Sequence, residues 1–424
     1  MVEARPDGQA AASPALPAPQ RRCSRPEGAV AAQPPREVAK LCDPTPPQAG
    51  ASYSPGTPQT DHRAQLWDLQ RWLWKHGGID RQRTCRHHAH GELVELRRRD
   101  VPGGVRAHYS QLITCGLAWT CPMCGPKIAA ERATDIAMGI TEQHHRAGQV
   151  ALLTMTLRHT RAQSLSELLT GLAGAWRHCR NSKVPRRLWR ALTTGWIKRL
   201  EVTLGPNGWH PHLHVLLFLG ADVTPEQLAE LAAAVTRAWE AHLVRQGLGT
   251  IDPEHGVTCR LLDLASAHEL VAEYVAKSAA LELASPGTKT ARRHGSRTPL
   301  QLLADLARDG FADDHARWRE FEQATKGKNQ IRWSDGLRAD LLPDVDELDD
   351  QAAADATDGA ARLLGALDRR TWKALRSWGP GPAQVIAWAE SPGTDGEVAH
   401  LVSQLLSREV GQFATLLPPE LASG

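Results

Sequence analysis

The sequence predicts an α+β fold in which an antiparallel sheet has helices packed on one face, and three observations lead to this prediction. Apolar and polar residues alternate with a period of two, as in half-buried strands, in the segments 150–160, 197–204 and 209–219. The loop 205–208 contains Pro-Asn-Gly, a tight-turn signal that should join the last two segments as an antiparallel pair. Helical periodicity around 165–180 and 225–245 supplies helices between the strands.

Composition divides the 424 residues into four regions. Residues 1–60 are dominated by Ala, Pro, Gly, Gln and Ser, and their few large apolar side chains cannot offset the entropy of ordering, which predicts a disordered tail. Residues 61–140 form a basic, cysteine-rich segment that is expected to bind zinc. Residues 141–340 contain the alternating strands and helices, followed by a mainly helical stretch. Residues 341–424 comprise an acidic linker and an Ala/Leu-rich helical accessory region.

Charge and hydropathy exclude some classes of protein and leave others open. The formal net charge is only +3, so bulk charge alone does not identify a nucleic-acid binder. The segments 81–106 and 292–297 are basic whereas 340–358 is acidic, which suits either one DNA-facing side or an ordinary solvated surface. No stretch approaches the roughly 20 apolar residues of a membrane span, and the N-terminus lacks a signal-peptide pattern. We therefore expect a cytoplasmic protein without a membrane partner.

Three histidines share one face of a predicted strand. His210, His212 and His214 are two residues apart in Trp-His-Pro-His-Leu-His-Val, and side chains alternate between the two faces of a strand. The intervening Leu and Val side chains therefore point to the other face, toward a core. Imidazoles at this spacing can bind one divalent ion, whereas a single histidine would more often be structural. We predict His212 and His214 as ligands, with His210 as their neighbour.

Glu201 is the predicted third ligand of this ion. Arg199, Glu201 and Thr203 share one face of the preceding strand, and an antiparallel hairpin should place Glu201 beside the histidines. Two imidazoles and one carboxylate suit Mg²⁺ or Mn²⁺ in phosphate chemistry. In the simpler alternative Glu201 is a surface residue paired with Arg199 or Lys198.

A downstream helix carries the candidate nucleophile. The chain has three tyrosines, of which Tyr53 lies in the tail and Tyr109 near the cysteines. Tyr274 stands on an amphipathic helix, with Lys277 three residues on and thus on the same helical face. A phenol with a pKa of about 10 is a weak nucleophile, and a nearby ammonium and a metal-bound phosphate would favour the phenolate. Alternatively Tyr274 is a surface residue, beside an ordinary ion pair between Glu273 and Lys277.

Four cysteines precede the strands and predict a structural zinc site: Cys85, Cys115, Cys121 and Cys124. Thiols stay reduced in the cytoplasm, so cysteines there indicate metal binding more than disulfides. Cys121-Pro-Met-Cys124 is a CxxC knuckle, and with Cys115 and a fourth ligand it can hold a tetrahedral Zn²⁺. Cys85 is the chosen fourth ligand. The alternatives are His87, His88 and His90 for that place, or unligated thiols throughout.

Together these motifs resemble the rolling-circle plasmid replication initiators of Gram-positive bacteria, especially those of actinobacterial plasmids, within the HUH endonuclease superfamily. The resemblance extends from about residue 85 to residue 337. Its motifs follow one another in order: a cysteine segment at 115–128, a strand motif at 152–159, the HUH metal motif at 201–215, a nucleophile motif at 273–277, and a later segment at 321–334.

The resemblance implies that residues 141–340 form an HUH endonuclease domain, with the antiparallel sheet as its palm. It implies that Tyr274 attacks single-stranded DNA at the origin of a supercoiled plasmid, forming a 5′-phosphotyrosyl link and a 3′-OH that primes synthesis. A host helicase and DNA polymerase would be partners. Some members carry a water-activating acid one helical turn before the tyrosine; here Leu270 has that place, flanked by Glu269 and Glu273.

Other functions remain as alternatives to this one. A histidine-triad nucleotide hydrolase or transferase would use the same alternating histidines, but it has no need of Glu201, the tyrosine helix or the cysteines. A non-catalytic, zinc-containing DNA-binding regulator would treat the histidines as structural. An HUH relaxase or transposase would share the chemistry, but cysteines upstream of the histidines and a Tyr-x-x-Lys helix after them favour the replication initiator.

Overall fold

The computed structural model describes residues 58–101, 103–279, 295–356 and 360–422, and the side chains at 58–61, 272–279 and 422 are outside the description. Positions 1–57 of the predicted disordered tail therefore lie outside the described residues. Tyr53, in that tail, is outside them as well.

The described residues contain eight strands: β1 (Leu93–Val101), β2 (Gly104–Ser110), β3 (Gln149–Met155), β4 (Thr193–Gly205), β5 (Gly208–Leu219), β6 (Val257–Leu262), β7 (Ile331–Trp333) and β8 (Arg362–Asp368). The longer helices among them are α1 (Pro58–His76), α3 (Cys124–His145), α4 (Leu165–Asn181), α5 (Lys183–Leu192), α6 (Pro225–Arg245), α7 (Leu264–Ala279), α8 (Pro299–Asp309), α9 (Ala312–Thr325), α12 (Arg369–Ser377), α13 (Gly381–Ala389) and α14 (Asp395–Glu409). Four short helices complete the set: α2 (Asp80–Thr84), α10 (Leu337–Leu341), α11 (Asp350–Asp355) and α15 (Pro419–Ala422).

Five strands form an antiparallel sheet in the order β6-β3-β5-β4-β7. Its centre is the hairpin of β4 and β5, in which Gly205 pairs with Gly208 across the predicted turn. Strand β3 lies on the other side of β5, with Thr154 opposite His214. The three segments predicted as strands are therefore neighbours in one sheet, and the α+β class with an antiparallel sheet is confirmed.

Helices cover both faces of this sheet, whereas the sequence pattern predicted them on one face. Leu213, Val215 and Leu217 point into a core shared with α4, α5, α6, α8 and α9. On the opposite face Leu216 and Phe218 pack against α3 and α7. The expectation of one covered face was wrong because the histidine-bearing face of β5 becomes apolar after its last histidine. Those apolar side chains are buried only if helices cover them.

The ends of the two central helices follow from their sequences. At the start of α4, the Ser164 hydroxyl accepts the Glu167 backbone N–H while the Glu167 carboxylate accepts the Ser164 N–H. Thr224 and Gln227 form the same reciprocal pair at the start of α6. Such capping boxes satisfy backbone donors that a helix leaves without partners. Both capped helices contribute to the hydrophobic core that contains the apolar side chains of β5.

Three strands form a second antiparallel sheet, in the order β2-β1-β8. Strand β8 comes from the C-terminal region, for which the sequence predicted helices. A short apolar run such as Leu-Leu-Gly-Ala-Leu cannot be assigned to strand or helix by periodicity alone, which explains the omission. In the structure β8 pairs with β1, with Leu96 opposite Gly365.

The second sheet joins residues from the two ends of the described chain in one core. Trp67 of α1 and Tyr109 of β2 pack edge-to-face against Trp372 of α12, with ring centroids 5.9 and 5.0 Å away. Leu96 and Val402 complete the centre of this core, both fully buried. The cysteine-rich region and the C-terminal region therefore share a hydrophobic core rather than standing apart. Among the residues that the structure describes, no helix combines the length and apolarity of a membrane span.

Candidate functional site

The β4–β5 hairpin places the predicted metal ligands side by side. Glu201 pairs with His212, and the neighbouring pair joins Arg199 to His214. The hairpin turn requires glycine at its end, because Gly208 has a φ of +90° and a Cβ there would lie 3.0 Å from Arg161 Cα. The Pro-Asn-Gly turn thus fixes the register that brings the carboxylate to the imidazoles.

Glu201, His212 and His214 direct their donor atoms to a common point. Glu201 Oε2 lies 3.6 Å from His212 Nε2 and 3.5 Å from His214 Nε2, and all three donor atoms lie within 4.8 Å of one another. Two donors about 2.1 Å from one octahedral ion would be about 3.0 Å apart, so small adjustments bring these atoms into ligand positions. The three side chains are 12–22% exposed, so the point is reachable from solvent. This donor set fits a divalent ion.

The electrostatics of the three residues favour the ligand forms. Burial raises the pKa of Glu201, but the neighbouring imidazoles of His212 and His214 and the positive charge of Arg199 more than offset this and hold the pKa well below its usual range. Burial also lowers the pKa of His214. A carboxylate that stays ionised and an imidazole that resists protonation are the states in which these groups bind metal ions.

Thr154 supports one of the ligands, a role that was not predicted from the sequence. Its Oγ1 lies 3.2 Å from His214 Nδ1, on the side of the ring away from Glu201. A hydrogen bond to one ring nitrogen fixes the orientation of the imidazole and leaves the other nitrogen for a metal. The signal in the sequence was the shared polar face of β3, but only the register shows which histidine Thr154 meets.

His210 lies on the same face as the two ligands but has a different neighbour. Its Nδ1 is 2.8 Å from His159 Nε2, and His159 Nδ1 is 3.1 Å from the Asn207 carbonyl oxygen. The group of converging donor atoms consists of Glu201 and the other two histidines and leaves His210 out. This agrees with its description from the sequence as a neighbour.

Helix α7, which carries Tyr274 and Lys277, packs on the histidine-bearing face of the sheet. Ala267 and Val271 are buried there against α3 and the strands. The Thr141 hydroxyl of α3 lies 3.1 Å from His268 Nε2, which adds a polar contact between the two helices. The side chains of Tyr274 and Lys277 are outside the description, so the structure gives the helix that carries them and not their contacts.

Tyr109 is the other tyrosine within the described residues, and its environment is unsuited to catalysis. Its side chain is 5% exposed and its hydroxyl donates to the Pro382 carbonyl oxygen at 3.0 Å. Burial raises its pKa well above the usual value of 10. A phenol that is inaccessible and resists ionisation is a structural group rather than a nucleophile.

The structure brings the four predicted zinc-binding cysteines together. Cys85 Sγ lies 3.6 Å from Cys121 Sγ and 3.5 Å from Cys124 Sγ, and Cys115 Sγ lies 3.7 Å from Cys124 Sγ. Four sulfurs about 2.3 Å from a tetrahedral Zn²⁺ would be about 3.8 Å apart. All four thiols are buried, so the donor set and its spacing fit a structural zinc ion.

Two cations accompany the thiol cluster. Hydrogen bonds from the other three thiols, assisted by the charge of Arg86, hold the pKa of Cys124 well below its usual range. Burial and the charge of Arg86 lower the pKa of Lys127 to about 8, and its Nζ donates to the Ala354 carbonyl oxygen at 2.7 Å. Zn²⁺ with four thiolates would carry a net charge of −2, which Arg86 and Lys127 would offset. Neither cation was predicted from the sequence to belong to the cluster.

The cysteine segment and the later segment at 321–334 meet the sheet beside the metal-ligand carboxylate. Strand β7 pairs with β4, and the Gln330 carbonyl oxygen accepts the Leu200 N–H at 2.8 Å while its amide nitrogen donates to the Ala118 oxygen at 3.2 Å. A cleft of about 80 Å³ lies here, and both Cys121 and Glu201 belong to its lining. The later segment, for which the sequence indicated no role, thus connects the thiol cluster to β4.

Comparisons with known proteins agree with this arrangement. Residues 109–227 match the replication protein family Rep_1. A protein of Streptomyces lividans called "Protein rep" is 30% identical over 331 residues, which cover 62% of this chain and 72% of that protein. A "Neomycin resistance protein" of Streptomyces cyanogenus is 29% identical over 135 residues, 26% of this chain and 31% of that protein. No solved structure matches the chain.

The family match includes the metal-ligand hairpin and three of the four clustered cysteines, and it ends before α7. The similarity to the Streptomyces lividans protein extends over most of both chains. The chain therefore belongs to the family of plasmid replication initiator proteins.

Proposed function

We propose that this initiator starts rolling-circle replication by nicking one DNA strand at the plasmid's double-strand origin and later rejoining it. The observation that carries the proposal is the convergence of Glu201, His212 and His214 on one face of the sheet. Two imidazoles and a carboxylate at this spacing suit a divalent ion that acts on phosphate. On this proposal the five-stranded sheet is the palm of an HUH endonuclease, and its substrate is the single-stranded part of a supercoiled origin.

The position of α7 supports Tyr274 as the nucleophile. Val271 and Ala267 anchor α7 on the histidine-bearing face. Position 274 follows them by three and seven residues, spacings that recur on one side of a helix. Tyr109 is buried and hydrogen-bonded, which leaves Tyr274 as the tyrosine of the described segments that is suited to attack. Lys277, one turn further along, supplies a positive charge that favours the phenolate and the negative charge of the transition state.

The proposed nicking step exchanges one phosphate ester for another. The Tyr274 phenolate oxygen attacks the scissile phosphorus, the bond from phosphorus to the 3′-oxygen breaks, and that oxygen takes up a proton to become the 3′-OH primer. The product is a 5′-phosphotyrosyl link. Glu201, His212 and His214 would hold Mg²⁺ or Mn²⁺, which when bound polarises the phosphate. Thr154 keeps the His214 ring in place, and Arg199 places a positive charge beside Glu201.

Termination requires a second transfer, and the residues near Tyr274 bear on how it occurs. Leu270 stands at the place of the acid in some family members, but leucine has no ionisable group. Its side chain is partly buried against the apolar core. Glu269 is exposed at the surface of α7, and the side chain of Glu273 is outside the description. On this proposal rejoining proceeds by attack of a DNA 3′-OH on the phosphotyrosine. Between nicking and rejoining, a host helicase and DNA polymerase would act on the primed strand, in the cytoplasm where the plasmid is.

The cysteine cluster has a structural role in this proposal. Cys85, Cys115, Cys121 and Cys124 would hold Zn²⁺ in a closed tetrahedral site with no position left for a substrate. The cluster and Glu201 border the same cleft, and Gln330 links the cysteine segment to β4. Its function would be to fix the edge of the sheet beside the metal ligands.

Adduct formation with DNA tests the proposal. The protein is incubated with a single-stranded origin oligonucleotide and Mn²⁺ or Mg²⁺, and covalent protein–DNA species are separated on a denaturing gel. We expect an adduct with the unmodified protein, none with Tyr274→Phe and none with EDTA. Tyr109→Phe removes the same hydroxyl from the buried tyrosine and should keep the adduct. An adduct formed by Tyr274→Phe would contradict the assignment, and dinucleotide cleavage without an adduct would favour a histidine-triad enzyme.

A further inference from the structure

Helix α5 exposes a row of four basic side chains that the nicking site does not use. They follow one another at positions i, i+3, i+4 and i+7 and so lie on one side of the helix: Lys183, Arg186, Arg187 and Arg190. All four are exposed, whereas Leu188, Trp189 and Leu192 on the other side are buried in the core of the large sheet. The fold therefore holds this basic row toward solvent.

The segment around α5 is depleted of acidic residues. Residues 168–200 contain eight Lys and Arg and no Asp or Glu. Across the whole chain 47 of 424 residues are acidic, so a stretch of 33 residues would contain about four on average. An ordinary solvated surface mixes both signs, as the rest of this chain does. The exclusion of carboxylates from this segment indicates a polyanionic partner.

Three further cations, Arg180, Lys198 and Arg332, lie near the row and are not neutralised by carboxylates of the described segments. The Arg180 guanidinium lies 4.8 Å from the centre of the Trp189 ring, and Lys198 Nζ lies 5.5 Å from that of Trp176. Arg332 of β7 pairs across the sheet with Lys198. Within the described segments, none of these three cations and none of the four on α5 forms an ion pair with a carboxylate. Asp335 is an acidic group near enough to Arg180 to act on its charge, but it forms no ion pair with it.

The basic row is connected to the metal ligands through β4. Helix α5 ends at Leu192 and β4 then runs to Glu201, nine residues later. At about 3.3 Å per residue the two points are about 30 Å apart along the strand, which equals about nine base-pair rises of B-DNA. Helix α5 packs on the face of the sheet opposite the histidines. The row is therefore too far from the ligands to touch the scissile phosphate, and any DNA that it binds must flank the nick.

We propose that α5, with Arg180, Lys198 and Arg332 at its border, binds the phosphate backbone of the double-stranded origin DNA that flanks the nicked strand. This inference rests on the proposed function, because it takes plasmid DNA as the substrate. Duplex DNA is favoured over a single strand because Trp189, the aromatic residue of α5, is buried and offers no surface on which bases could stack. The contacts are electrostatic, and they position the protein without reading sequence.

Salt-dependent binding tests this proposal. The variant Lys183→Ala/Arg186→Ala/Arg187→Ala/Arg190→Ala is compared with the unmodified full chain by fluorescence anisotropy, using a hairpin oligonucleotide with a single-stranded nick site and a duplex flank of 20 base pairs. Each phosphate contact contributes about 0.9 to the slope of log affinity against log salt, so loss of four contacts should make the slope shallower by about 3.6. Arg237→Ala/Lys373→Ala removes exposed charges elsewhere and should leave the slope unchanged. The charge-conserving variant Arg186→Lys/Arg187→Lys/Arg190→Lys should preserve binding.

The outcomes separate this proposal from the proposed function. We expect the quadruple variant to form the covalent adduct on a short single-stranded oligonucleotide at the same rate as the unmodified protein, which also shows that it is folded. An unchanged salt slope on the duplex flank would overturn the proposal, and so would an equal loss of affinity for the single strand. If the unmodified protein forms no adduct while the variant still shows the shallower slope, the nicking function fails and the duplex-binding surface stands.

Discussion

Removing the hydroxyl that faces His214 should weaken metal binding without disturbing the sheet. Thr154→Val keeps the shape of the side chain but loses the 3.2 Å contact between Oγ1 and His214 Nδ1. The ring can then rotate, and its Nε2, now 3.5 Å from Glu201 Oε2, leaves the point where the three donors converge. Loss of such a supporting partner lowers metal affinity about 10- to 100-fold, which corresponds to about 1.4–2.7 kcal/mol.

Calorimetric titration with Mn²⁺ measures this effect directly, and the Mn²⁺ concentration for half-maximal adduct formation gives a second readout. Thr156→Val is the matched control, because it makes the same change two residues along the chain, where the Thr156 hydroxyl donates to the His255 carbonyl oxygen at 3.1 Å. The control should bind Mn²⁺ like the unmodified protein. Equal Mn²⁺ affinity of Thr154→Val and the unmodified protein would refute the reasoning.

Three further predictions concern the zinc cluster, pH and the core. Elemental analysis should find about one Zn per chain, and Cys121→Ser/Cys124→Ser should lose it; a variant that keeps both metal and stability would contradict the site. Burial raises the pKa of Glu95, but hydrogen bonds from Arg97 and Ser110 lower it overall below the usual 4.5. Glu95 therefore stabilises the fold above pH 4.5 and loses this effect as pH falls through the folded-state pKa. The difference in urea stability between Glu95→Gln and the unmodified protein should accordingly be present at pH 7 and shrink toward pH 3, and a constant difference would argue against it. Leu217→Ala, at a fully buried position, should cost about 2–5 kcal/mol of unfolding free energy, whereas Val244→Ala, half exposed, should stay within about 0.5 kcal/mol.

Local patterns in the sequence were sufficient to predict the hairpin that carries the proposed metal ligands. The period-two alternation of β4 and β5 and the turn between them determine which residues face each other. The sequence alone therefore predicts that Glu201 lies beside His212. The thiol cluster followed from the CxxC spacing in the same way, although the choice of Cys85 required a fourth donor 30 residues upstream of Cys115. In both cases chemistry restricted the partners to a few residues.

The sequence alone could not predict the contacts between strands and helices that are far apart along the chain. Strand β8 pairs with a strand some 270 residues away, and no local pattern distinguishes its apolar run from a helical one. The second covered face of the large sheet depends on α3 and α7 reaching it from different parts of the chain. The contact of Thr154 with His214 likewise depends on the register between β3 and β5, which are separated by α4, α5 and β4.

The pairing of β1 with β8 makes the small sheet late to form during synthesis. Leu93 pairs with Asp368, so β1 leaves the ribosome 275 residues before its partner strand. At about 5–20 residues per second this interval lasts roughly 15–55 s, during which one edge of β1 and the apolar side chains beneath it remain uncovered. We therefore expect newly made chains to expose this edge to aggregation and to chaperones until translation delivers the strand that closes the sheet.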